Sequence, residues 1–287
     1  MAKKLFLLGV AVFCMLAGCA SDQAQVSSPS QKDTSQARNM ADYLRSSNLP
    51  ALESVTTWQS DTHQGLEIKT RHYRIRTTLL DPLMLYQVPA FLESAWRGYN
   101  QQVPEPIETS SRFTVYLFAD RKQWEAFTEK FAGDQARVYK KIKAGAYYLK
   151  GACVAYNIGR NRTFSILGHE GWHQFSRRHF EYRLPSWLDE GVAMMFEASE
   201  YQDGIFEFRP SRNLQRLGSL RKTLLNNNRI PLKKLISMDP GQALALDAGE
   251  TTQAFYAQSY ALVRFLREEN YGARLDNYRQ MMLGGLN

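Results

Sequence analysis

The sequence predicts an α+β domain, with a small strand-rich part before residue 160 and a helical part after it. Three observations carry that prediction. Alternating apolar positions recur between residues 66 and 158, helical periodicity takes over from Thr163, and cap and proline signals punctuate both halves. At 287 residues the chain can bury one sizeable core and still carry a tail. Its 44% hydrophobic and 12% aromatic content is that of a globular protein.

Residues 1–18 read as an export signal: Lys3 and Lys4, the apolar run from Leu5 to Leu16, then Ala17-Gly18. The run falls short of the roughly 20 apolar residues that span a bilayer. Leu16-Ala17-Gly18-Cys19 resembles the lipobox of bacterial lipoproteins. That resemblance implies that Cys19 is acylated, becomes the first mature residue and tethers the chain to a membrane. Ala20 behind it implies an outer-membrane location facing the periplasm, if the organism is Gram-negative. Residues 19–48, rich in Ser, Gln, Asp and Ala, are expected to form a disordered tether, and residues 49–287 the folded domain.

Within the domain, Leu66–Leu80 reads as one strand with Tyr73, Ile75, Thr77 and Leu79 on one face. Asp81 and Pro82 open a helix running to Tyr99. Arg112–Phe118 is a short strand, and Asp120 caps a helix over Arg121–Phe131. Between Ala144 and Ile158 two β-like runs, Ala146–Leu149 and Cys153–Tyr156, are parted by Lys150-Gly151. Helices follow at Thr163–Phe180, Trp187–Ser199, Leu214–Leu225 and Thr252–Glu269. The chain ends at Asn287 after Gly284-Gly285-Leu286 with no stop signal, so its last helix is expected to be incomplete.

The formal charge of +8 falls to +6 once Lys3 and Lys4 leave with the signal. A nucleic-acid partner is conceivable on charge alone, but export argues against it. Anionic envelope polymers or lipid headgroups suit a basic face better, and most of the charge is expected to be solvated surface. Of three cysteines, Cys14 departs with the signal and Cys19 is lipidated. Cys153 is left without a disulfide partner, as a small core hydrophobe.

The chemistry gathers on His169-Glu170-Gly171-Trp172-His173. Residues four apart share a helix face, so His169 and His173 can offer two imidazoles to one metal. Glu170, about 100° around the helix, flanks the metal and can take a proton from water. A catalytic zinc site wants three protein ligands and an open position. Glu190, 17 residues after His173, supplies the third from a helix that Pro185 starts and Ser186 caps.

His-Glu-x-x-His followed by Trp187-Leu188-Asp189-Glu190-Gly191-Val192-Ala193 resembles the signature of gluzincin metallopeptidases, the peptidase MA-like group of bacterial envelope proteins among them. The resemblance covers roughly residues 140–270. It implies a zincin-like fold, one zinc ion on His169, His173 and Glu190, Glu170 as general base, and a peptide or protein substrate. It places Glu197 behind the ligands as a support, against the alternative of an exposed helix charge. It gives Tyr256 the oxyanion, with Tyr260 second, although Gln258-Ser259 departs from the Lys-Gly of aminopeptidases. The strand before the metal helix, Gly151–Asn157, is implied to be the edge that pairs with substrate. The Gly-Ala-Met-Glu-Asn motif that grips a free amine is absent, which argues against aminopeptidase action.

Other residues have plainer explanations. His179 points to another face, His63 and His72 are expected at the surface, and Trp172 and Phe175 as core anchors. Arg177 and Arg178 complement the dipole at the end of the metal helix. The expected activity is zinc-dependent peptide hydrolysis in the cell envelope. Its rival is a non-catalytic, envelope-anchored binding or assembly module on a metallopeptidase fold.

Overall fold

Two hydrophobic cores, one on each face of a six-stranded sheet, organise the molecule. The computed structural model describes residues 31–60, 63–142, 145–242 and 249–286. The signal segment, Cys19 and the first part of the expected tether lie outside the described residues.

Strands β1 (Ser54–Gln59), β2 (Gln64–Lys69) and β3 (Tyr73–Thr77) form an antiparallel meander. Strands β4 (Phe113–Phe118) and β6 (Ala152–Tyr156) extend it in parallel, and β5 (Ala146–Leu149) closes the sheet antiparallel to β6. The order is β1-β2-β3-β4-β6-β5, and the fold is α+β as expected. Strand alternation divides the side chains. Phe113, Val115, Leu117, Cys153 and Ala155 enter the larger core, while Phe118, Ala152, Val154 and Tyr156 enter the smaller one.

Helix α2 (Pro82–Asn100) packs against α5 (Arg160–His179) in the larger core. Helix α3 (Arg121–Ala132) brings Trp124 to the smaller one, and α4 (Ala136–Tyr139) follows it. The expected caps are in place: Asp81 accepts from the Met84 amide at 2.8 Å and Asp120 from the Gln123 amide at 3.0 Å. After α5 come α6 (Ser186–Ala193), a small hairpin of β7 (Ser199–Gln202) and β8 (Ile205–Phe208), α7 (Leu214–Leu225) and α8 (Leu232–Ser237). Helices α9 (Glu250–Glu268) and α10 (Leu275–Leu286) complete the described chain.

Several expectations change. The expected tether contains α1 (Gln31–Ser46), whose Ala37, Ala41 and Leu44 are fully buried against β1 and β2. Those three residues make a narrow stripe, which the polar composition around it conceals. The single strand over Leu66–Leu80 is two, because Glu93 holds a turn between them. Its carboxylate accepts from Thr70 Oγ1 at 2.6 Å and from the His72 amide at 2.9 Å. The same glutamate buries His72: Nδ1 lies 2.7 Å from Glu93 Oε2, and the ring stacks on Trp96 at 4.4 Å. His63 is half-buried. Finally, α6 ends at Ala193 and gives way to a 3-10 turn and β7, with Ser186 its first helical residue rather than its cap.

Close approaches fix α5 and α6. A Cβ on Gly171 would stand 2.3 Å from the Tyr99 hydroxyl, and one on Gly191 would stand 2.4 Å from Val263 Cγ2 and 2.7 Å from the Ser259 carbonyl. Both glycines of the signature motifs therefore set helix spacing.

Candidate metal centre

Helix α5 starts where Asn157 Oδ1 accepts from the Gly159 amide at 3.0 Å and from Thr163 Oγ1 at 3.2 Å. It ends with Arg177 and Arg178 in its last turn, where cations complement the helix dipole. Trp172 and Phe175 anchor its inner face in the core, as expected. His169 and His173 fall one turn apart on an adjoining face, and α6 returns to bring Glu190 between them.

Among the described residues, His169, His173 and Glu190 are the three whose ligand atoms converge. The two Nε2 atoms are 3.3 Å apart, and Glu190 Oε2 lies 3.3 Å from His169 Nε2 and 3.6 Å from His173 Nε2. A tetrahedral ion with ligands at about 2.0–2.1 Å separates its ligand atoms by about 3.3–3.4 Å, so the triangle has the size zinc needs. Glu190 Oε2 is buried and aligned for a hydrogen bond with neither imidazole. An acceptor in that position is free to ligate a cation.

Each histidine is held from behind by a carboxylate. Glu197 Oε1 meets His169 Nδ1 at 3.0 Å. Glu197 is itself gripped by Arg216, whose Nε donates to Oε2 at 2.7 Å, and by Asn213 Nδ2 at 2.9 Å. Its side chain is 9% exposed, so it is a support and not a free helix charge. Asp189 Oδ2 stands 3.3 Å from His173 Nδ1, while its Oδ1 accepts from Trp172 Nε1 at 2.8 Å and Ser176 Oγ at 3.2 Å. Both contacts turn Nε2 towards the centre of the triangle. The sequence reading missed Asp189, Asn213 and Arg216. Only Asp189 carried a signal, its place beside Glu190.

The charges are coupled to match. Burial works against a charged His169, but Glu190 and Glu197 outweigh it and raise its pKa to about 9. Burial also opposes charge on His173, yet Asp189 and Glu190 lift it well above the usual range. Glu197 is held down at about 2 despite its burial, by Arg216 and His169. Glu190 is likewise held far below an ordinary carboxylate by the two histidines. Without metal, then, both imidazoles keep a proton at neutral pH, and a metal must displace both. Calorimetry in buffers of differing ionisation enthalpy should therefore register about two protons released per zinc bound at pH 7. Affinity should rise as pH rises above 7, and pH-independent binding would contradict the arrangement. Replacing Glu197 by alanine should weaken zinc binding about 10–100-fold, read by competition with a chromophoric chelator.

Glu170 sits beside the trio in a cavity lined by Ala146, Ile158, Arg162, Ile166 and Gln215. Burial raises its pKa, and the histidines, with the nearby Tyr148 amide, partly oppose that. Tyr148 belongs to β5, and β5 rather than β6 is the sheet edge. Gly151–Asn157 was expected at that edge. Instead, β6 is paired on both sides, because the turn at Lys150-Gly151 folds β5 back along its outside. Two adjacent runs of equal β character do not reveal which is outermost, although all five residues of β6 are buried.

Tyr256 on α9 is buried, and its hydroxyl has no partner among the described residues. Burial, with the negative charge of Glu190, raises its pKa well above the usual range. The Arg216 guanidinium lies 5.6 Å from its ring centre. Tyr260 is committed elsewhere, donating to the Pro210 carbonyl. Gln258, where aminopeptidases carry lysine, clasps both backbone groups of Ile230 at 2.7 and 2.8 Å. His179 packs among Trp96, Phe113 and Phe175, away from the trio, and burial lowers its pKa to about 4.

Family models, curated proteins and solved structures provide no match to this chain.

Proposed function

We propose that the chain is a zinc-dependent peptidase of the gluzincin type, on a zincin-like α+β domain, exported and held in the cell envelope through lipidated Cys19. The observation that carries this reading is the matched triangle of His169, His173 and Glu190 with Glu170 one residue along the same helix.

Bound zinc supplies Lewis-acid polarisation of a scissile carbonyl and acidifies a water. The chain's own residues divide the remaining work. Glu170, raised by burial towards the working range of a base, accepts the proton of the attacking water and returns it to the leaving amine. Tyr256, a neutral donor with a free hydroxyl, stabilises the negative charge that develops on the carbonyl oxygen. Edge strand β5, which has no strand on its outer side among the described residues, can receive an extended peptide. Glu197 and Asp189 keep the imidazoles aimed.

The test joins metal analysis of the purified chain to a chelator-sensitive cleavage profile on a peptide library. One zinc per chain and cleavage abolished by chelator are expected. A chain without bound metal, or cleavage indifferent to chelator, would sink the reading. Mass spectrometry for an acylated Cys19 tests the anchor separately.

A further inference from the structure

The chain's positive charge is concentrated in one stretch. Residues 208–238 hold eight Lys and Arg and no Asp or Glu, while the other 28 cations are matched by 28 acids. The whole formal net charge of +8 therefore resides in 31 residues that contain α7 and α8. Arg209, Arg212 and Arg216, at the start of the stretch, are neutralised by Glu207, Glu200 and Glu197. Arg221, Lys222, Arg229, Lys233 and Lys234 are exposed and have no acidic partner among the described residues.

Large apolar side chains stand exposed between those cations. Leu224 is 51% exposed, Leu225 72%, Leu232 60% and Ile236 46%. None of them is needed inside: α7 packs on α9 through its other face, where Thr223 is buried, and α8 buries Leu235. The connection between the two helices is firmly held, since Gln258 grips both backbone groups of Ile230. The surface is therefore a fixed ledge of alternating leucines and cations.

We infer that the ledge formed by the end of α7 and by α8 docks on an anionic lipid surface, with Leu224, Leu225, Leu232 and Ile236 entering the headgroup boundary and the five free cations meeting lipid phosphates. The pairing of both features selects this partner. A soluble polyanion would engage the cations and leave the leucines in water, whereas a membrane interface satisfies both. No helix among the described residues is long and apolar enough to cross a membrane. Helix α7 also carries Gln215 and Arg216 into the lining of the site cavity, so the docked element is physically continuous with the site.

Hydrogen exchange on the full chain tests this whether or not Cys19 carries an anchor, because it reports on the ledge itself. Exchange over residues 221–236 is expected to slow about tenfold on phosphatidylcholine vesicles containing about one third phosphatidylglycerol, and to recover in high salt. Lys233→Gln with Lys234→Gln should lower the affinity for the anionic vesicles about thirtyfold, at roughly fivefold per cation. Leu224→Ser with Leu225→Ser should also restore free exchange. All four positions are exposed, so the fold is spared. Equal slowing on pure phosphatidylcholine, or none on anionic vesicles, would overturn the inference. So would equal protection by soluble polyphosphate that survives the serine substitutions, which would make the ledge a polyanion site.

Discussion

Replacing Glu190 by alanine is expected to cost the chain its metal, with zinc affinity falling about 10²–10³-fold. Zinc sites with four protein ligands bind with about 10–16 kcal/mol in all, so one ligand of three is a large share. Glu190 is also the group that both histidines face: its Oε2 stands 3.3 and 3.6 Å from their Nε2 atoms. Without it the two imidazoles confront each other at 3.3 Å with no negative charge between them. Much of the support for their raised pKa values goes as well, although Glu197 and Asp189 remain behind them. Proton release on zinc binding should therefore drop below that of the wild type, in the same calorimetric experiment that reads the weaker affinity. Retention of stoichiometric zinc through dialysis, at wild-type affinity, would remove Glu190 from the ligand set.

Much of this centre was legible because its parts are local. His169 and His173 are one helical turn apart, Glu170 is adjacent, and Pro185 announces the return helix. The helices themselves were legible where caps or long apolar faces mark them: α2 and α3 start at their aspartates, and α7 has the expected bounds. What escaped depends on partners far along the chain. Arg216 matters only because α7 brings it against Glu197, 19 residues earlier. The turn between β2 and β3 exists because Glu93, on α2, fills it. Helix α1 is fastened by Ala37, Ala41 and Leu44 to strands that follow it, and a polar stretch gives no hint of such docking. The edge strand was misplaced for a related reason. Sheet order is a matter of who pairs with whom, and β5 and β6 carry similar side chains.

The second large effect separates chemistry from binding. Glu170→Gln should leave one zinc per chain while lowering kcat/KM for peptide cleavage about 10²–10⁴-fold, the usual contribution of a positioned general base. The amide keeps the shape of the side chain but cannot take a proton from water. Unfolding does not explain such a loss, and the sign of the pKa shift says why. A carboxyl whose pKa is raised by folding binds its proton more tightly in the folded chain, so its ionisation at neutral pH works against folding. That opposition is absent below the unfolded pKa and grows as pH rises through the folded one. Removing the charge should leave the metal-free variant at least as stable as the wild type at pH 7, as read by thermal unfolding. The variant should also lose the lower limb of the pH–rate profile that ionisation of Glu170 gives the wild type. Full activity in Glu170→Gln would mean that another group takes the proton.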